Sequence, residues 1–192
     1  MTAGMRRIVV GISGASGAVI GQRIVELLAA SGRCEVHLVV SCAGERTLAQ
    51  EAGPEALARL SALVARRHPV EDIGAGIASG SFRVAGMIVA PCSIRTLSAI
   101  AASASDNLLV RAADVQLKER RRLVLLVRET PLHLGHLRAM VAATEHGAII
   151  APPVPAFYRR PRSVAELVDH TARRAIDLLV PDLPPLAEEW AP

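Results

Sequence analysis

Two stretches of the chain combine residue types that can hold phosphate groups. The first, GISGASGA, begins at Gly11, spaces its glycines three apart and adds the hydroxyls of Ser13 and Ser16. Such a turn leaves backbone N–H groups at the start of a helix, where the helix dipole favours an anion. Taken alone the pattern is weak, because close packing of a helix against a strand also needs glycines. The turn therefore indicates either a phosphate site or tight helix packing.

The second stretch, RAADVQLKERR, carries charged side chains at helical spacing. Arg111, Asp114 and Lys118 fall at positions i, i+3 and i+7, on one helix face. A structural ion-pair ladder would explain this pattern. The neighbouring RETP favours a function, because Arg128 and Glu129 directly follow the apolar run LVLLV, and charges in a closed site lose hydration. We therefore favour a role for these segments in binding a phosphorylated ligand.

Two further turns follow predicted strands. The run PCSIRT, 91–96, opens a helix, so its hydroxyls and amides suit an anion, although an ordinary N-cap would look the same. Ser41 ends the second strand, where a dinucleotide fold normally carries an acidic residue for the ribose. Nicotinamide cofactors are therefore disfavoured and a mononucleotide such as FMN fits better, while capping remains the more frequent use of a serine there. Cys92 has no histidine near it in sequence and is interpreted as a buried thiol.

The loop 152–161 contains four prolines and the only tyrosine, Tyr158, followed by Arg159 and Arg160. Fixed proline φ angles lower the entropy cost of presenting that side chain, although a rigid surface connection would need the same prolines. The sequence has no HExxH motif and no carboxylate cluster at metal spacing. We therefore expect no catalytic metal.

The composition fits one packed α/β domain. The chain has 192 residues, of which 51% are apolar and 21% charged. No apolar run approaches the ~18 residues of a membrane span, and Arg6 and Arg7 precede a strand-like IVVGI instead of a long apolar leader. We therefore expect a cytoplasmic protein that does not enter membranes. The three cysteines lack CxxC spacing, which indicates buried free thiols.

The formal charge of +4 and the pI near 9.6 could indicate binding of nucleic acid. Phe82, Phe157, Tyr158 and Trp190 are the only aromatic residues of their kind, so little can stack on bases, and no nucleic-acid-binding motif occurs. Small phosphorylated ligands explain the basic excess better, and we expect no nucleic-acid partner.

Short β-branched runs alternate with segments of helical periodicity, which is typical of βαβ units and a parallel sheet covered on both faces. The predicted strands are 7–12, 35–41, 86–90, 123–127 and 148–151. The predicted helices are 18–31, 44–50, 56–66, 96–104, 108–120, 134–145 and one that begins at Ser163, with capping-box spacing to Glu166. Residues 67–83 are predicted to be irregular. We expect a Rossmann-like three-layer αβα sandwich with a mostly parallel sheet, in one domain (1–180) with a tail (181–192).

These motifs occur in an order that resembles the UbiX-type flavin prenyltransferases. The strings that carry the resemblance are GISGASGA, SGSF, PCSIRTLSAI, DNLL-x-RAADV-x-LKERR, RETPLHLGHL, PPVPAFYRRP and VDH, and the resemblance runs from about residue 5 to residue 179. The resemblance implies a fold of the flavoprotein type and a homo-oligomer, typically a dodecamer. It also implies transfer of a dimethylallyl group from dimethylallyl monophosphate to N5 and C6 of reduced FMN. The product, prenylated FMN, would serve a UbiD-type decarboxylase in ubiquinone biosynthesis or aromatic acid decarboxylation.

By matching positions, the resemblance implies two binding sites. The residues implied for FMN are Gly14, Ala15, Ser16, Ser41, Ser93, Ile94, Arg95, Thr96 and Arg128. Those implied for dimethylallyl phosphate are Arg111, Lys118, Glu129, Tyr158 and Arg174, some of them supplied across a subunit interface. The implied catalytic residues are Ser16 and Glu129, for proton handling, and Glu51, near the prenyl group.

The chain has no aspartate-rich motif for magnesium, so guanidinium and ammonium groups must hold the leaving phosphate in a metal-independent transfer. The preference for monophosphate over diphosphate stays open. Three places depart from the family pattern: Arg95 replaces a common lysine, Ser103 replaces a common glycine, and the tail reads Glu188-Glu189-Trp190 where an arginine commonly precedes the tryptophan. An FMN-binding accessory subunit or carrier without transferase activity is the alternative.

Overall fold

The computed structural model describes residues 5–188 of the chain. Within that range six strands form one sheet, and every neighbouring pair is parallel. The strands are β1 Arg6–Ile12, β2 Cys34–Val40, β3 Arg66–His68, β4 Gly86–Cys92, β5 Arg122–Val127 and β6 Ile149–Ile150. Their order, β3-β2-β1-β4-β5-β6, is that of a doubly wound Rossmann-like fold. All strands therefore end along one edge, the carboxyl edge, and start along the other, the amino edge.

Helices cover both faces of the sheet. They are α1 Ala18–Ala30, α2 Cys42–Ala52, α3 Ala56–Leu63, α4 Ile94–Ala101, α5 Leu108–Lys118, α6 Leu134–Glu145 and α7 Val164–Leu179, with short 3-10 helices at Gly76–Ala78 and Phe157–Arg159. Side chains alternate along β1, so Val10 packs in one core with α1, α3 and α7, while Val9 packs in a second core with α4, α5 and α6. Two cores on two faces confirm the predicted αβα sandwich.

Most predicted elements are present, with shifted ends. The five predicted strands match β1, β2, β4, β5 and β6. The last helix starts where its capping signal predicts, because the Ser163 hydroxyl accepts the Glu166 amide at 3.2 Å. The helix predicted over 56–66 ends at Leu63, since the chain then enters β3, which the sequence did not predict.

The edge strand β3 is held to β2 by a buried histidine pair. His37 Nδ1 lies 3.0 Å from His68 Nε2, and His37 Nε2 lies 3.1 Å from the Glu35 carboxylate. His37 is 5% exposed and His68 2%. The ring of Phe82, from the connection between β3 and β4, meets His37 edge-on at 5.1 Å between ring centroids. That connection thus covers the histidine pair in place of a crossover helix.

None of the helices within residues 5–188 is long and apolar enough to cross a membrane. All three cysteines are free thiols. Cys92 is buried and Cys34 half-buried, but Cys42 is exposed in the first turn of α2, so the prediction of buried thiols is wrong for Cys42.

Candidate functional site

The turns that follow β1, β2, β4 and β5 contact one another at the carboxyl edge. They span residues 13–17, 41–44, 91–96 and 128–130 and are called the strand-end turns. Backbone hydrogen bonds join them: Ser41 N donates to Ile12 O at 3.0 Å, Ser13 N to Pro91 O at 3.2 Å and Arg128 N to Cys92 O at 3.0 Å. Every residue predicted to bind FMN lies on these turns, so the fold brings that set to one edge.

Two glycines allow the first two turns to approach each other closely. A Cβ atom on Gly14 would lie 2.3 Å from the Cβ of Ala43, and one on Gly44 would lie 2.5 Å from the carbonyl oxygen of Ile12. Neither position can carry a side chain unless the backbone moves. The close-packing interpretation of the glycine pattern is therefore confirmed at Gly14.

Glu51, near the end of α2, caps the start of α1. Its carboxylate accepts the Gly17 amide at 2.9 Å and the Val19 amide at 3.2 Å. A negative charge at this point is stabilised by the positive end of the helix dipole. Two of the amides that the sequence offers for a phosphate therefore already have an anionic acceptor from the same chain. Ser16, on the same turn, is exposed, and its hydroxyl has no partner within residues 5–188.

The turn 91–96 offers donors for an anion. The Ser93 hydroxyl caps α4 by accepting the Thr96 amide at 3.3 Å. The amides of Ile94 and Arg95, in the first turn of α4, have no acceptor within the described part of the chain. The Arg95 guanidinium pairs with Asp106. An anion near the first turn of α4 would thus meet two backbone donors and the helix dipole.

Ser41 and Cys92 have structural roles, as a helix cap and a buried thiol, which the sequence analysis had named among the alternatives. The Ser41 hydroxyl accepts the Gly44 amide at 3.0 Å, which confirms Ser41 as the N-cap of α2. Cys92 is fully buried, and burial raises the pKa of its thiol. A thiol held neutral in the core is a poor nucleophile, so its interpretation as a buried thiol is confirmed.

The turn after β5 places two charges beside the turn 91–96. Arg128 is exposed, and its guanidinium has no acceptor within residues 5–188. Glu129 is half-buried, and one carboxylate oxygen accepts the Thr130 amide at 3.0 Å. The second carboxylate oxygen has no donor among the described residues. Arg128 is therefore available for an anion, and Glu129 retains an oxygen for a proton.

Tyr158 lies in the proline loop just before α7, and Arg174 lies on α7 itself, so both belong to the face of the sheet that α7 covers. Tyr158 is 62% exposed in the short helix Phe157–Arg159. Arg174 lines a cavity of about 90 Å³ together with Pro152 and His170. Burial lowers the pKa of His170, and the charges of Arg159 on the proline loop and Arg174 on α7 lower it further, against the opposing effect of Asp169 and Asp177.

The tail packs against α7 as far as residue 188. Asp177 accepts the amides of Leu186 and Ala187 at 2.7 and 3.0 Å, and the Glu188 carboxylate pairs with Arg159. These segments and α1 enclose a cavity of about 1000 Å³. Glu189 and Trp190, on which the predicted departure of the tail depends, lie outside the described residues.

Within residues 5–188, Arg111 and Lys118 make no hydrogen bond or ion pair with the strand-end turns. Arg111 pairs with Asp114 at 2.7 Å and donates to the carbonyl of Ala78. Lys118 pairs with Glu119 at 2.5 Å instead of Asp114, so a continuous ion-pair ladder is absent among the described residues. Because α5 ends just before β5 begins, Lys118 lies towards the amino edge, opposite the strand-end turns.

Much of the positive charge of the chain lies at the amino edge as well. The basic side chains there are Arg6, Arg7, Arg33, Arg83, Lys118, Arg120, Arg121 and Arg122, and their acidic partners are Glu35, Glu119 and Asp182. These eight cations outnumber the three acidic side chains that pair with them. Small phosphorylated ligands at the strand-end turns therefore do not account for this part of the basic excess.

One residue of the site was misread from the sequence. Ser13 was expected to offer its hydroxyl to a phosphate, but it is 1% exposed and bonded within the protein. The glycine-rich context gave no signal that separated the buried Ser13 from the exposed Ser16.

Within residues 5–188, no three His, Cys, Asp or Glu side chains lie close enough together to hold a metal ion.

Comparisons with known proteins agree with this geometry. A model of the Flavoprotein family matches residues 2–153. The chain is 56% identical over 171 residues to the flavin prenyltransferase UbiX of Thauera aromatica, which covers 89% of this chain and 87% of that protein. It is 53% identical over 180 residues to the flavin prenyltransferase UbiX of Escherichia coli K12, with 94% and 95% covered.

Two solved structures share the fold closely. AnUbiX (PadA1), in complex with FMN and dimethylallyl pyrophosphate, superposes with a TM-score of 0.91 at 45% identity, covering 97% of this chain and 98% of that chain. The dodecameric FMN-dependent UbiX-like decarboxylase from Escherichia coli O157:H7 superposes with a TM-score of 0.91 at 41% identity, covering 97% and 100%.

Proposed function

The chain belongs to the UbiX-type flavin prenyltransferases, and from this premise we propose that it joins a dimethylallyl group from dimethylallyl monophosphate to N5 and C6 of reduced FMN. The observation that carries the proposal is the convergence of the four strand-end turns, which hold every residue predicted for FMN. Two relatives that align with 89% and 94% of this chain are named flavin prenyltransferases.

The strand-end turns fit a flavin mononucleotide. The sheet order changes direction between β1 and β4, and doubly wound folds bind ligands at that switch point. The amides of Ile94 and Arg95 and the guanidinium of Arg128 supply donors for a phosphate. We assign FMN binding to the turns that carry Gly14, Ser41 and these residues. When bound, reduced FMN supplies the nucleophilic N5 and C6 atoms.

The substrate phosphate is assigned to cations from more than one copy of the chain. Tyr158 and Arg174 lie on the α7 face, whereas Arg111 and Lys118 lie on α5, which packs on the opposite face of the sheet. One chain cannot place all four on one phosphate. The dodecameric relative supports a homo-oligomer in which neighbouring copies complete the site.

The residues of the chain would bind, orient and handle protons. Guanidinium and ammonium groups offset the charge of the leaving phosphate without a metal ion. Glu129, with one carboxylate oxygen that has no donor within residues 5–188, and the exposed Ser16 hydroxyl are the proposed proton carriers. Glu51 is the third proposed catalytic residue, near the prenyl group, and its bond to the Gly17 amide keeps its carboxylate at the glycine turn.

We also propose that the product serves a UbiD-type decarboxylase in the cytoplasm. The name of one structural relative links this fold to decarboxylation, and the helices of the described chain include none that could span a membrane. Residues 1–180 are proposed as one FMN-binding domain, with 181–192 as a C-terminal tail, in which Leu186 and Ala187 bond to Asp177 of α7.

The test is an anaerobic incubation of the protein with reduced FMN and dimethylallyl monophosphate, followed by mass spectrometry of the released flavin. A gain of one five-carbon unit is expected. A parallel incubation with dimethylallyl pyrophosphate measures the phosphate preference. Arg128→Ala should weaken FMN binding, while Arg138→Ala, an exposed arginine on α6, serves as the matched control.

The second candidate is an accessory subunit or carrier that binds FMN without transferring a prenyl group. The name of the Escherichia coli O157:H7 relative includes FMN dependence but not prenyl transfer, and for this reason FMN binding without transfer is kept as the second candidate. Flavin released with unchanged mass in the same incubation would support the carrier and contradict the transferase.

A further inference from the structure

Ser13 joins the two turns that flank the switch point of the sheet. Its hydroxyl donates to the Pro91 carbonyl at 2.9 Å and accepts the Ser93 amide at 2.7 Å. Its own amide donates to the same Pro91 carbonyl at 3.2 Å. Ser13 is 1% exposed, so its one donor and one of its two acceptor positions are used inside the protein.

The Ser13 hydroxyl lies just beyond the point where the backbone pairing of β1 with β4 ends. The β1–β4 ladder stops at the pair Gly11 and Val89, and the register between β4 and β5 shifts between Val89 and Cys92. Pro91 has no amide hydrogen, so the backbone at this point cannot continue the ladder from that residue. The Ser13 hydroxyl adds a second donor to the Pro91 carbonyl and gives the Ser93 amide an acceptor.

The contact fixes the first turn of α4. With its amide held by Ser13, Ser93 uses its hydroxyl to accept the Thr96 amide and donate to the Thr96 hydroxyl at 3.1 Å. The amides of Ile94 and Arg95, which have no acceptor within residues 5–188, lie between these fixed points.

We infer that Ser13 is a positioning residue for the flavin phosphate, acting through Ser93 on the N-terminal turn of α4 and not by contact with the ligand. The inference rests on the proposed function, since it requires FMN at the strand-end turns. Removing the hydroxyl leaves the Ser93 amide without an acceptor and allows the turn 91–96 to shift away from the glycine turn.

The experiment compares wild-type protein with Ser13→Ala, Ser13→Thr and Ser61→Ala. Ser61, on α3, donates to the Leu57 carbonyl at 2.7 Å and is the matched control for loss of a serine hydroxyl away from the strand-end turns. The dissociation constant of FMN is measured by flavin fluorescence, the KM of dimethylallyl monophosphate by turnover, and the stability of each variant by urea unfolding.

Ser13→Ala should weaken FMN binding roughly tenfold, as expected for one lost hydrogen bond to a partly buried amide. The KM of dimethylallyl monophosphate should stay within about twofold, because the contact acts on the flavin turn alone. Ser13→Thr, which keeps the hydroxyl, should recover most of the affinity, and Ser61→Ala should bind FMN as the wild type does.

Unchanged FMN affinity in Ser13→Ala would overturn the inference, as would parallel losses for both ligands, which indicate general destabilisation. Failure of Ser13→Thr to recover affinity would also count against it. Wild-type protein that binds no FMN would instead overturn the proposed function, and this inference with it.

Discussion

The buried His37–His68 pair predicts that the protein loses stability as the pH falls from about 6.5 to 4. Because His37 Nε2 faces the Glu35 carboxylate, it donates there, and His37 Nδ1 is left to accept from His68 Nε2. His68 Nδ1 is then the ring's remaining acceptor, and it is buried without a partner within residues 5–188. A proton added there would lack an acceptor, which opposes the charged form.

Burial lowers the pKa of His68 to about 4 from its usual 6.5, with further lowering by the charges of His37 and Arg66 and an opposing effect of Asp72. The unfolded chain takes up this proton near pH 6.5, whereas the folded chain resists it until about pH 4. Between these values the unfolded state binds more protons, so the free energy of unfolding falls as the pH falls. The loss attributable to His68 is about 2 kcal/mol at pH 5 relative to pH 8.

The assay is urea unfolding of the wild type and of His68→Gln from pH 8 to 5, at one protein concentration because an oligomer couples stability to concentration. His68→Gln is expected to be less stable at pH 8 but to lose about 2 kcal/mol less than the wild type on acidification. His146→Gln, an exposed residue after α6, should keep the wild-type slope. Parallel slopes for the wild type and His68→Gln would refute the reasoning.

Three further outcomes follow from contacts at the strand-end turns. Gly14→Val should abolish FMN binding measured by flavin fluorescence, because a Cβ there would lie 2.3 Å from the Cβ of Ala43; binding at wild-type strength would contradict the packing. Cys92→Ala should keep turnover within a few-fold, because the thiol is buried and its pKa raised; complete loss with FMN still bound would restore Cys92 as a nucleophile. Glu129→Gln should slow single-turnover prenylation by roughly a hundred- to ten-thousandfold at unchanged FMN affinity, a range typical of a lost proton carrier, and unaltered turnover would remove Glu129 from that role.

The sequence predicts the sandwich well where hydrophobic patterns are long. Strands β1 and β4 contain the continuous apolar runs IVVGI and GMIVA, and Ser163 carries a local capping signal, so these elements could be placed. The edge strand β3 could not, because Arg66–His68 is only three polar residues long. The side chain of His68 contacts that of His37 in β2. These two residues are 31 positions apart in sequence, so no local pattern reveals the contact.

The site was predictable in part. Residues after parallel strands meet at one edge, which is why the FMN set lies together. The capping of Gly17 by Glu51 joins residues 34 positions apart and has no local signal. The position of Lys118 could have been derived, because a helix that runs directly into a parallel strand must end at the amino edge.

The Glu51 carboxylate has a consequence for turnover. In the proposed reaction the flavin departs as product, so the pocket must be rebuilt or preserved after every cycle. A counter-charge built into the polypeptide holds the loop around Gly17 in shape without flavin. The next flavin then binds beside a loop that is already ordered, and no binding energy is spent on ordering that loop again.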